Sequence, residues 1–159
     1  MSAVLSPDAE VVGIDRSLSD EGRVFMTRGG TTPSIAFAER GHAVLHALQE
    51  AVSEAQVEGW DGYRGRSADL GAFVYAIQFL KLLPTTTRIP EIAVDSDGDI
   101  ALEWDLAPRR VFSARVSRDG TIYYAGLVNY STFHGSEQLG EAIPKAISAG
   151  IERVLSDRF

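Results

Sequence analysis

The sequence predicts an α+β fold: a four-stranded antiparallel meander sheet with two helices before it and one after (α-α-β-β-β-β-α), preceded by an N-terminal arm. Three observations carry this. Apolar residues recur at helical spacing over 34–57 and again over 67–83. From Glu91 the period changes to two, and two Asp-Gly pairs, Asp97-Gly98 and Asp119-Gly120, separate short alternating runs. A third helical stripe closes the chain over 142–157.

Residues 1–33 are polar and rich in Ser, Asp and Gly. Their two apolar runs, Val11–Ile14 and Val24–Met26, read as a small hairpin or as an arm that orders against a partner. Residues 34–159 form the single α+β domain. Its first helix runs over Ser34–Val57, with Phe37, Val44, Leu45, Leu48, Val52 and Ala55 on one stripe. Pro33 suits the start and Gly59 the stop. The glycine-rich connection Gly59–Arg66 follows. The second helix spans Ser67–Leu83, with Ser67 as N-cap and Leu70, Phe73, Val74, Ile77, Leu80 and Leu83 as its face, widened by Phe79 and Leu82. Pro84 ends it. Ile92 and Val94, then Ile100, Leu102 and Trp104, alternate as two strands; Val111–Ser117 and Thr121–Asn129 are the third and fourth. In the last helix Ile143, Ile147, Ile151, Val154 and Leu155 are apolar, and Pro144 suits its first turn.

The chain has 159 residues, 45% apolar and 23% charged, the composition of a single globular domain. A net charge of −7 argues against direct binding to nucleic acid or to an anionic membrane. The absence of cysteine excludes disulfides, thiolate nucleophiles and iron–sulfur clusters, and fits a reducing compartment. The N-terminus lacks the pattern of a secretory signal, and no stretch is apolar enough to span a membrane, so a cytoplasmic location is expected.

Several constellations invite a chemical reading. Asp95-Ser96-Asp97-Gly98-Asp99 has the look of a calcium loop, but its glycine stands at position 4 where the EF-hand needs position 6. A solvated hairpin tip is expected, and no metal. Arg109, Arg110, Arg115 and Arg118 cluster on the third strand; with a net negative chain they are expected to pair across the sheet with Glu103 and Asp105. His42 and His46 share a helix face but have no further ligands, and His46 with Glu50 is a plain surface pair. Asn129–Glu137 holds Tyr130, Ser131, His134 and Ser136, the side chains of a nucleophilic site without its GxSxG elbow. The plainer reading is a strand-to-helix loop in which Ser136 or Glu137 caps a turn. In Trp60–Arg66, Trp60 is expected to wedge between helix and sheet and Asp61 to shape the turn as an Asx motif. The competing reading is an exposed aromatic and arginine cluster of the kind that dominates interfaces.

Trp60-Asp61-Gly62-Tyr63, the helix ending Phe79-Leu80-Lys81-Leu82-Leu83-Pro84, the hairpin Gly98-Asp99-Ile100-Ala101-Leu102-Glu103-Trp104 and Tyr124-Ala125-Gly126 together resemble a family of small uncharacterised bacterial proteins. That family's signature is a WDGYGA-type loop, a helix and a DGEIxLEW-type hairpin. The resemblance covers roughly residues 55–155, and Arg64-Gly65 departs from it after the tyrosine. It implies a bacterial cytoplasmic α+β protein, from families frequent in mobile or defence-related regions, and carries over no catalytic residues.

The first functional expectation is a non-catalytic acidic protein-binding module, of the antitoxin, immunity or inhibitor type, whose partner is a protein with a basic nucleic-acid-binding site. Trp60, Asp61, Tyr63, Arg64, Arg66, Tyr130 and the N-terminal arm are its expected contacts, with no cofactor. The second is a small hydrolase or nucleotide-binding enzyme with a pocket between the 60–66 and 129–137 loops, His134 as base, Ser131 beside it and Arg64 or Arg66 holding an anion. The third is a homodimer through an exposed sheet edge or face.

Overall fold

The computed structural model describes the backbone of residues 31–156 and the side chains of residues 38–156. The arm expected over 1–33 lies, up to residue 30, outside the described residues. Contacts divide the chain into residues 1–39 and 40–159. Of the first unit, only the opening turns of helix α1 (Thr31–Glu54) are described.

The second unit holds one core. From α1, Val44, Leu48, Ala51 and Ala55 are buried, spaced as one helical face. The helix ends three residues before Val57, where Ala55 N–H turns back to Val52 O. Helix α2 (Leu70–Leu82) begins at Asp69, not Ser67. Asp69 Oδ1 accepts from the Gly71 and Ala72 amides at 2.8 and 3.3 Å, while Ser67–Asp69 is pinned to the β1–β2 turn by Asp69 N–H donating to Gly98 O. The expected face is only partly buried. Phe79, Leu80 and Leu83 go inside, and Phe73, Ile77 and Leu82 pack against the core. Ala72 and Ala76 are buried as well, whereas Leu70 is 75% and Val74 54% exposed. The small alanines let this helix lie close to the sheet.

The sheet corrects the expected four strands to five, within the same α+β class. β1 (Glu91–Val94), β2 (Ile100–Ala107), β3 (Arg110–Val116), β4 (Thr121–Val128) and β5 (Ser131–Gln138) form an antiparallel meander in chain order. The segment read as a strand-to-helix loop is therefore the fifth strand, and Ser136 and Glu137 cap no turn. Gly98 and Gly120, with φ of +86° and +81°, make the two Asp-Gly turns. One sheet face buries Val94, Ile100, Leu102, Trp104, Phe112, Ala114, Val116 and Ile122 under α2 and helix α3 (Lys145–Leu155). Pro144 stands just before α3, its carbonyl accepting from the Ile147 and Ser148 amides. No helix among the described residues is long and apolar enough to cross a membrane.

Candidate functional site

The Gly59–Arg66 loop is built around one carboxylate. Asp61 Oδ1 accepts from the Tyr63 and Gly65 amides, each at 2.9 Å, and these bonds hold its pKa below the usual aspartate value. A Cβ at Gly65 would stand 2.7 Å from the Asp61 carboxyl carbon, so the close wrap needs glycine there. Gly59 N–H donates to Gly65 O and Trp60 Nε1 to Arg66 O, at 2.7 and 2.9 Å, closing the loop into a ring. Trp60 packs half-buried against the core. Arg66 N–H and Ala68 N–H tie the ring to Ser96 O and Ala55 O. Trp60 and Asp61 thus hold the loop, and Tyr63, 88% exposed, and Arg64 stand outside it.

At the same end of the sheet, the β1–β2 turn gathers three aspartates around Arg115. Its guanidinium lies 3.6, 3.4 and 3.5 Å from carboxylate oxygens of Asp95, Asp97 and Asp99. Asp95 Oδ1 also accepts from the Asp97 and Asp99 amides. Partial burial, then the neighbouring Asp95, raises the Asp99 pKa despite Arg115. A groove of about 360 Å³ opens here, lined by Arg66 and Arg118 with Glu58, Asp69, Asp97 and Asp99. Among the described residues no group of His, Asp or Glu is arranged to hold a metal ion.

The expected pairing of the arginines with Glu103 and Asp105 is corrected by the register. Glu103 stands opposite Ser113 and Asp105 opposite Val111, while Ala101 faces Arg115. Arg110 instead reaches the C-terminal end of α3, donating to Val154 O at 2.8 Å and to Ser156 O. Arg109 lies over the Tyr130 ring at 4.4 Å and donates to Asn129 O.

The sheet face away from the helices carries Glu91, Ala93, Glu103, Asp105, Tyr123, Ala125, His134 and Ser136, all exposed. Glu91 and Glu103 are direct cross-strand partners. Like charges so placed repel. Among the described residues neither Glu91, Glu103 nor Asp105 has an ion pair.

The residues of the hydrolase reading do not converge. Ser131 and His134, three apart on β5, point to opposite faces of the sheet. Ser131 Oγ accepts from Arg153 on the helix-covered side, whereas His134 is exposed on the open face. The 60–66 loop is bonded to the β1–β2 turn at one edge, while β5 is the other edge with three strands between. Tyr130, 89% exposed, sits in the β4–β5 turn at the opposite end of the strands from that loop. His46 Nδ1 lies 3.2 Å from Glu50 Oε2, both exposed on α1, and His42 is exposed nearby. Sequence reasoning missed the opposed glutamates; the alternation of β1 and β2 was the available signal, but only their register places the two side by side. No protein-family model, curated protein or solved structure matches this chain.

Proposed function

We propose that the protein is a non-catalytic, acidic protein-binding module that docks on a basic partner, such as the nucleic-acid-binding surface of another protein. The inhibitor, antitoxin or immunity proteins of bacterial and phage defence systems are the class this describes, acting in the cytoplasm. One observation carries the reading: Glu91 and Glu103 oppose each other on an open sheet face with Asp105 beside them, and none of the three has an ion pair among the described residues, Arg115 of that face being engaged by the Asp95–Asp99 turn. Repulsion that burdens the free protein is relieved when a partner supplies the cation. Ala93, Ala101 and Ala125 keep the surrounding face flat, and Tyr63 and Arg64 add residue types favoured at interface centres.

The test is a pull-down from the native host at low and moderate salt. It compares the wild type with Glu91→Gln/Glu103→Gln and with Glu50→Gln/Glu54→Gln, which has the same net charge. Release of one stoichiometric basic partner by the sheet pair alone supports the reading. A partner indifferent to the sheet pair, or none at either salt, overturns it.

A further inference from the structure

Among the described residues, β5 is a sheet edge without the usual protection. The opposite edge, β1, has four residues, follows Pro90 and carries Glu91. β5 has eight residues, with no proline, lysine or bulge, and pairs with β4 without a register shift. A long unpaired edge of this kind is a template for another strand. Leu139 N–H donates to Gly120 O, which fixes the phase of the ladder. Alternate residues bond to the partner strand, so Ser131, Phe133, Gly135 and Glu137 bond to β4, and Thr132, His134, Ser136 and Gln138 turn their backbone groups outward. No described residue bonds to those outward groups.

We propose that β5 pairs antiparallel with β5 of a second copy of this chain, about a two-fold axis at His134, independently of the partner-binding reading. In that register His134 meets its symmetry mate, and Thr132 meets the second copy's Ser136, so the outward groups of these three residues are bonded. On the helix-covered side Phe133 faces the second copy's Gly135, which has no side chain to collide with its ring. Glu137, without an ion pair among the described residues, faces the second copy's Ser131. Ser131 is where Arg153 already reaches: Arg153 Nη2 donates to Ser131 Oγ at 3.3 Å, with its guanidinium 5.4 Å from the Phe133 ring centroid. Each Glu137 therefore enters beside the other copy's Arg153, and the two-fold axis repeats the pair. This self-complementarity of charge selects a second copy over an unrelated strand.

Sedimentation velocity over a concentration series tests the pairing, with circular dichroism confirming the fold of each variant. The wild type is expected to form a species of twice 17.2 kDa. Glu137→Arg and Arg153→Glu are each expected to raise the dimer Kd about tenfold, and the double exchange Glu137→Arg/Arg153→Glu to restore it. Amide exchange gives a readout that needs no substitution: Thr132, His134 and Ser136 slow on dimerisation, while Phe133 and Gly135 are protected throughout. A chain that stays monomeric at its highest soluble concentration overturns the proposal. So does a double exchange that fails to restore the dimer, or a dimer in which those three amides exchange as fast as in the monomer.

Discussion

Phe133 of β5 lies across the strand pair from Gly126 of β4, and its ring fills the space a side chain there would take. A Cβ built on Gly126 would come within 2.6 Å of Phe133 Cε1. From the other side Gly150 of α3 completes the slot, since a Cβ there would stand 2.6 Å from Phe112 Cε2 and 2.9 Å from Phe133 Cε2. The two rings sit 6.2 Å apart, and Phe112 continues to Trp104 and Tyr124 at 5.8 and 6.0 Å. The packing of α3 on the sheet thus depends on two absent methyl groups.

Gly150→Ala is expected to cost about 1–3 kcal/mol by overpacking, despite alanine's better helix propensity. Gly41→Ala on α1 meets nothing within 4 Å. It is expected to gain roughly 0.5–1 kcal/mol. Thermal melts of the two variants should move in opposite directions from the wild type, by about 2–4 °C per kcal/mol for a chain of this size.

Asp119 of the β3–β4 turn and Asp99, which follows Gly98 in the β1–β2 turn, are shifted in opposite senses. Asp119 accepts from Thr121 N–H and Ser117 Oγ–H, which lowers its pKa to about 2. A depressed folded pKa gives stability that is present above the unfolded value and lost as pH falls through about 2. Asp119→Asn should therefore destabilise at neutral pH and match the wild type near pH 2. Asp99 has the opposite sign, its charged form being penalised by burial. Replacing it with Asn should be relatively more favourable at pH 7 than at pH 3. Melting temperatures of both variants across the acid range check the two slopes.

Arg110 ties the first residue of β3 to the last turn of α3 through the Val154 and Ser156 carbonyls. Those carbonyls have no partner further along the helix. Arg110→Ala is expected to cost about 1.5–3 kcal/mol, the range for hydrogen bonds involving a charged group. Amide exchange should show residues 152–156 losing more protection than the core strands. Uniform loss would place the role of Arg110 elsewhere.

Glu103→Lys puts a cation opposite Glu91. Relief of the like-charge contact should raise stability by about 0.2–1 kcal/mol, with the gain fading in high salt. The same change should abolish capture of a basic partner. Urea unfolding at two salt concentrations reads the first effect and the pull-down reads the second.

How much of this was legible in the sequence follows from what each residue's chemistry determines locally. The turns at Gly98 and Gly120 were legible because the backbone there adopts φ of +86° and +81°, which favours glycine. β5 was not. It is an edge strand with Phe133 as its one large apolar residue, so no alternation of apolar and polar marks it. Its turn uses Asn129 at φ +56° followed by Tyr130, and the missing glycine hid the hairpin. The buried face of α2 was only partly legible, because apolar residues surround that helix and only packing selects Ala72 and Ala76 over Leu70 and Val74. Arg115 was paired with the wrong acids because register, which sequence distance does not determine, puts Ala101 across from it and the Asp95–Asp99 turn within reach. The Asp61 turn was legible as an Asx motif because its bonds span only two to four residues.

That ring has an evolutionary corollary. Its closure rests on backbone amides, one carboxylate and one indole N–H, none of them supplied by the side chains of Tyr63 or Arg64. Substitutions at those two positions can therefore accumulate without an entry in the stability of the fold. A lineage pressed by a changing target could rewrite its surface there while the frame beneath stayed constant, as a display loop on a fixed scaffold does.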